Sequence, residues 1–260
     1  MTSVAVSTSA AGVRTICIDR EARRNALDRA TLAELEAAFD AAGADESVRV
    51  IVLRGAGERA FCAGADLGEL LGHQTIEASR SHFDAVARVI LAMHRAGPPV
   101  VARVQGFALA GGCGLAVAAD FTLAAQSAVL GLPEIEIGLL PMVVSAPIYR
   151  ATGSRKAVLD LLLTGRRVGA REALALGLVT RVVPDAELDA ELDALAARLA
   201  ALSPSVVRLG KEAVYTMCEM EYGAALRYLR EMIVLTSLTD DAKEGIRAFF
   251  EKRSPQWTGR

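Results

Sequence analysis

Short apolar runs alternate with helical periodicity through the first half of the chain. Val13–Ile18 reads as a strand and is followed by a polar turn over residues 19–24. Across residues 31–42 the apolar positions Leu32, Leu35, Phe39 and Ala42 step by three and four, which predicts one face of an amphipathic helix. Residues 48–53 are almost continuously apolar, the pattern of a strand buried on both faces. Residues 54–66, rich in Gly and Ala, read as a long loop. A helix over residues 81–95 is stopped by Gly97-Pro98-Pro99. Val100–Val104 predicts another strand, residues 111–119 a short helix, and residues 121–124 a further strand. This succession predicts an α/β fold with parallel pairing. After about Gly138 the pattern turns helical. Ser203-Pro204 has the form of an N-cap followed by Pro at the first helical position, and residues 221–235 and 240–252 are helix-like. The division expected is a core over residues 1–200 and a C-terminal helical region over residues 201–260, whose Leu- and Ala-rich helices suit packing on another subunit.

Composition narrows the class. The 260 residues are 52% hydrophobic and 23% charged, too apolar for a disordered chain, and 8 Pro with 22 Gly are too few for a collagen-like one. With 29 basic and 31 acidic side chains the net charge is -2, so no nucleic-acid or membrane-surface footprint is expected. Cys17, Cys62, Cys113 and Cys218 form no Cys-x-x-Cys pair and read as buried thiols of a reducing compartment. His73, His82 and His94 lack ligand spacing, so no metal site is expected. The first residues lack the basic and apolar regions of a secretory signal, and no uninterrupted apolar run of about 18 residues predicts a membrane span. A cytoplasmic location is expected.

Three segments could carry chemistry. Gly55-Ala56-Gly57-Glu58-Arg59-Ala60 follows a strand and matches a dinucleotide-binding fingerprint. That fingerprint must open a helix, whereas residues 61–66 continue a loop, so a nicotinamide site is not expected. The loop around residues 61–67 and the segment 106–114 both follow strands and are packed with Gly and Ala. Small residues let a ligand approach the backbone, and two converging N–H groups would make an oxyanion hole for a thioester enolate. Tight turns and close helix packing would explain the same composition.

Asn25-Ala26-Leu27, the Ala60-Phe61-Cys62-Ala63-Gly64-Ala65-Asp66-Leu67 loop, the 105–116 segment and Leu132-Pro133-Glu134 occur in the order seen in the crotonase (enoyl-CoA hydratase/isomerase) superfamily. Leu163-Thr164-Gly165, Glu172-Ala173, Gly177-Leu178-Val179 and the closing Phe249-Phe250-Glu251-Lys252-Arg253 also resemble that family, and the likeness spans residues 12–257. It implies a spiral of ββα units with a C-terminal helical trimerisation region, in trimers that often pair into hexamers. It implies an acyl-CoA thioester as ligand, with coenzyme A entering as part of the substrate and no separate cofactor. Ala65 and Gly111 would supply the oxyanion-hole N–H groups, and Ala63, Asp66 and Leu67 would lie near the CoA adenine and pantetheine. Phe249 and Lys252 would reach a neighbouring subunit's CoA. Arg24 matches a phosphate contact or a solvated turn residue equally well.

Hydratases of the family usually carry two carboxylates around a water. Here Gly114 leaves the first position vacant, while Glu134 occupies the second. Glu136 follows at strand-like spacing and could share its face. A single carboxylate suits removal of the α-proton and its return at the γ-carbon, so conversion of a 3-enoyl-CoA to a 2-enoyl-CoA is the expected reaction. Hydration is the main alternative, with Asp66, Glu69 or His73 as candidate water holders; a decarboxylase, a thioester hydrolase and a non-catalytic acyl-CoA-binding homologue remain further options. No Lys/Arg run suggests RNA binding, and no Gly-x-Ser-x-Gly elbow suggests a serine hydrolase. The bulky stretch 139–145, where the family commonly has a glycine-rich turn, would either reshape the acyl pocket or pack the core.

Overall fold

A hairpin opens the chain, with β1 (Val4–Thr8) antiparallel to β2 (Val13–Ile18). The computed structural model describes residues 2–72 and 74–260. After α1 (Arg29–Ala44), a repeated unit begins in which one strand enters a large sheet and the next enters a small one. The first unit is β3 (Val50–Gly55), β4 (Ala60–Cys62), α2 (Leu67–Leu71) and α3 (Ile76–Arg95). The second is β5 (Val100–Val104), β6 (Phe107–Leu109) and α4 (Gly111–Ala118). The third is β7 (Phe121–Ala125), β8 (Val129–Gly131), a 3-10 turn over Pro133–Ile137 and α5 (Met142–Thr152). Then come α6 (Arg155–Thr164), β9 (Arg167–Gly169), α7 (Ala170–Leu176), β10 (Arg181–Val183) and α8 (Leu188–Ala200). The large sheet has the order β1-β2-β3-β5-β7-β10 and the small one β4-β6-β8-β9. Pairing is parallel from β2 to β10 across the large sheet. This is the spiral of ββα units expected of the α/β crotonase-like fold.

The elements form where the residue pattern predicts. Asp28 accepts the Thr31 N–H and caps α1, whose Leu32, Leu35 and Phe39 are fully buried against α3 and the sheet. β3 is buried on both faces except at Arg54, as its continuous apolar run requires. The structure corrects two expectations. Residues 54–66 are not one loop, because β4 lies inside them. The second half is not purely helical, because β9 pairs antiparallel with β8 and β10 parallel with β7. Three-residue strands are too short to show a period of two, and their partners lie far away in sequence. The Gly55-x-Gly-x-x-Ala segment leads into β4, not into a helix.

The chain closes with α9 (Pro204–Met217), α10 (Tyr222–Leu238) and α11 (Asp240–Glu251), which pack on one another. Ser203 accepts the Val206 N–H at the start of α9, with Pro204 at the first helical position. One buried cluster ties α9 to the core. Asp120 accepts Lys211 Nζ at 2.7 Å, Tyr215 Oη at 2.7 Å and the Val100 N–H at 2.7 Å. Lys211 also donates to the Met93 and Pro98 carbonyls at 3.2 Å. Among the described residues no helix is long and apolar enough to cross a membrane.

Removing one partner of a buried pair strands the other charge without water. Lys211→Met is expected to cost about 3–5 kcal/mol of unfolding free energy. Urea denaturation measures it, and a loss below about 1 kcal/mol would show that Asp120 finds other compensation.

Candidate active site

Two backbone loops meet at the N-terminus of α4. Gly64 has φ +94, and a Cβ there would overlap that of Ala110; a Cβ on Gly111 would lie 3.8 Å from Gly64 Cα. The Gly/Ala composition of both loops therefore does serve close packing. A Cβ on Gly112 would sit 2.7 Å from Cys62 Cβ, so that glycine is required for α4 to approach β4.

Packing also orients the donors. Leu27 donates to the Gly64 carbonyl at 2.8 Å and accepts the Asp66 N–H at 2.9 Å. This parallel bridge between Leu27 and Ala65 turns the Ala65 N–H to the opposite side. Asn25 holds the bridge in place. It is fully buried at φ +57, donates Nδ2 to the Ala56 and Ala60 carbonyls, and accepts the Arg20 N–H. On the second loop Ala110 adopts φ 56 and ψ -129, a conformation that glycine reaches freely and alanine only with strain. Its carbonyl accepts the Gly114 N–H at 3.1 Å, and the turn leaves the Gly111 N–H at the open end of α4. Among the described residues neither the Ala65 nor the Gly111 N–H meets an acceptor. Both residues line a cavity of about 850 Å³.

Glu134 enters that cavity from the 3-10 turn, which Pro133 begins and Gly138, at φ +79, ends. Its Oε2 is buried without a hydrogen-bond partner, and the cavity is walled largely by apolar side chains such as Leu140, Val143 and Val144. Burial in this lining pushes the Glu134 carboxyl up from 4.5 to about 7. Glu136 lines the same cavity but leaves the turn in a different direction. In a 3-10 turn successive side chains step by about 120°, so residues two apart diverge. Glu136 is exposed and pairs with Arg167 at 3.4 Å on the rim.

Gly114 is enclosed. A Cβ there would overlap Val144 Cγ1, and Val144 is only 3% exposed. The bulky stretch after Gly138 thus has both effects expected as alternatives: Leu139, Leu140, Met142 and Val143 line the cavity, while Val144 also fills the space beside Gly114.

Ala63, Asp66 and Leu67 line the cavity, as do Arg23 and Arg24 at its mouth. Burial raises the Asp66 carboxyl, but hydrogen bonds from Arg20 and the Gly68 and Glu69 N–H groups hold it below the usual range. Asp66 caps α2 through Gly68. Glu69 is half-buried on α2 and accepts the Arg29 N–H, and His73 lies outside the described residues. Phe249, 79% exposed, and Lys252, at the C-terminal cap of α11, are absent from the cavity lining among the described residues. Burial pushes the Cys62 and Cys113 thiols up to about 12, far from thiolate chemistry at neutral pH. No group of three or more His, Cys, Asp or Glu suited to a metal occurs among the described residues. Sequence reasoning missed the parts played by Arg20, Asn25 and His82, a buried side chain in the α3 wall. Only Asn25 carried a signal, since Asn tolerates positive φ inside a polar turn.

This geometry matches known proteins throughout its length. Residues 8–260 match the family Enoyl-CoA hydratase/isomerase. A Rhizobium meliloti (strain 1021) protein named "Probable enoyl-CoA hydratase" is 40% identical over 251 residues, covering 94% of each chain. The crystal structure of an enoyl-CoA hydratase from Mycobacterium smegmatis superposes with a TM-score of 0.95 at 35% identity, covering 99% of both chains. That of a Bacillus anthracis enoyl-CoA hydratase gives 0.94 at 34% identity, covering 99% of this chain and 100% of the other. The chain belongs to the enoyl-CoA hydratase/isomerase family of the crotonase superfamily. It is an acyl-CoA enzyme.

Glu134 also makes a stability prediction. The folded protein keeps this proton up to about pH 7, whereas the unfolded chain loses it near 4.5. Unfolding therefore releases a proton in that window, and stability falls as pH rises through it. The open side of the cavity screens part of the effect, leaving about 1–2 kcal/mol. Glu134→Gln is expected to gain that much at pH 8 and little at pH 4. Equal denaturation midpoints at pH 8 would mean that the carboxylate is not desolvated.

Proposed function

We propose that this enzyme moves the double bond of a 3-enoyl-CoA into the 2,3 position, with Glu134 as its only acid/base. The observation that carries the reading is the pairing of Gly114 with Val144. The place of a second carboxylate is filled by a valine, while Glu134 lines the cavity and keeps one carboxyl oxygen buried without a hydrogen-bond partner.

The Ala65 and Gly111 N–H groups would hydrogen-bond the thioester oxygen and stabilise the negative charge that develops there. The Glu134 carboxylate takes a proton from C2, and the C–H electron pair flows into a dienolate spread over the oxygen, C2 and C4. The same carboxyl returns the proton to C4, so the C3=C4 bond becomes C2=C3 with no water added and no redox change. A carboxyl near 7 suits both halves, because it is basic enough to accept the proton and acidic enough to return it. Arg23 and Arg24 at the mouth offer cations for CoA phosphates. The apolar side chains Ile233, Leu235 and Leu238 of α10 and Phe249 and Phe250 of α11 are exposed, which supports a trimer or hexamer. In such an assembly Phe249 and Lys252 would meet a neighbouring copy's CoA.

The names of the relatives favour water addition as a second reading. On this chain it would need a water holder other than residue 114.

In heavy water, a 3-enoyl-CoA should be converted with deuterium incorporated and no added water mass. The rate should rise with unit slope to about pH 7 and then level, since the base must be ionised. Glu134→Gln should lose about 10²–10⁴-fold. Rapid hydration of a trans-2-enoyl-CoA by the unaltered protein, read by mass spectrometry, would overturn the proposal.

Val144 yields a second test. Gly114→Glu alone should be destabilised by at least about 1–3 kcal/mol through overpacking. Combined with Val144→Gly it should fold and gain hydratase activity. A well-folded single variant with that activity would show that Val144 does not close the position.

A further inference from the structure

We propose that Arg20, outside the cavity, is a positioning residue that aims the Ala65 N–H at the thioester oxygen. Its side chain is only 16% exposed and is not among the cavity-lining residues. Nη2 lies 2.8 Å from Asp28 Oδ2 and 3.1 Å from Asp66 Oδ2, and Nη1 donates to the Ala26 carbonyl. Those three acceptors flank the Leu27–Ala65 bridge. Ala26 and Asp28 stand on either side of Leu27, and Asp66 follows Ala65.

Each carboxylate has a second task. Asp28 Oδ1 accepts the Thr31 N–H and hydroxyl at the start of α1, while Asp66 Oδ1 accepts the Gly68 N–H at the start of α2. One guanidinium thus joins two helix starts and the backbone between them. The Arg20 main chain adds to the grip, since its N–H donates to Asn25 Oδ1 and its carbonyl accepts the Asn25 N–H. If Asp66 drifts, its N–H leaves the Leu27 carbonyl, the bridge loosens, and the Gly64–Ala65 peptide that carries the Ala65 N–H is free to turn. Lysine would keep the charge and lose the planar fork that reaches three acceptors.

The inference rests on Ala65 and Gly111 as the carbonyl-polarising pair, not on which reaction follows. Polarisation can be read without turnover, using a 3-aryl-2-enoyl-CoA whose conjugated thioester absorbs at longer wavelength when its oxygen receives strong hydrogen bonds. Arg20→Lys should lose more than half of the red shift given by the unaltered protein, with the Kd for the probe within about threefold. It should also lose about 10–100-fold in kcat, as expected when a donor is misaimed. Lys211→Met, which weakens the fold at a cluster sharing no residue with this loop, should keep the full shift. Asp28→Asn retains the helix cap and loses the charge, so it should reduce the shift partially; it carries the test if Arg20→Lys does not fold. An intact shift in folded Arg20→Lys, or in Asp28→Asn, would overturn the proposal. Absence of any shift in the unaltered protein would remove the polarising pair and the proposal with it.

Discussion

The backbone bridge between Leu27 and Ala65 is the constraint on which the site depends. A peptide has one N–H, and in this bridge the N–H groups of residues 27 and 66 are spent on the pairing while that of Ala65 points away. Everything nearby serves to keep it so. Asn25 fills the turn behind the bridge, Arg20 grips its flanks, and Gly64 lets the second loop come into contact. The Gly111 N–H is released differently, as one of the amides that any helix start leaves unbonded. Two unrelated rules of backbone hydrogen bonding thus put two donors in one cavity.

The carboxylate opposite works by the reverse logic. Glu134 is held where its charge is poorly solvated and where no donor meets Oε2. That arrangement costs folding free energy above neutral pH and raises basicity, so stability is exchanged for reactivity at this one residue. The strained backbone of Ala110 is a second such cost beside the same cavity. By contrast, Asp66 and Glu136 each have a cationic partner, Arg20 and Arg167. Environment, not residue type, separates Glu134 from the other acidic groups.

Gly114 and Val144 show how the identity of one position depends on another. In the sequence, glycine at the vacant carboxylate site reads as simple loss of a side chain. In the fold it is a fitted socket for a valine thirty residues later, so neither position can change alone without overpacking or a void. The hydrophobic stretch after Gly138 therefore belongs to the cavity wall as well as to the core.

Much of this was legible in the chain. Periodicity of 3.6 in residues 31–42 and the continuous apolar run at 48–53 fall on α1 and β3, because long elements bury whole faces and leave a regular pattern. The ordered motifs identified the family and pointed to Ala65, Gly111 and Glu134, which the fold brings to one cavity. Three-residue strands β4, β6, β8, β9 and β10 were not legible, since they are held by partners distant in sequence and carry no period of their own. Glu136 looked equivalent to Glu134 only while the segment was taken as extended; the 3-10 turn separates them. Sequence alone determined which residue types were available and in what order. The tertiary structure decided which N–H stayed unpaired, which carboxylate lost its water and which cavity a valine filled, because each of these depends on what the rest of the chain places within a few ångströms.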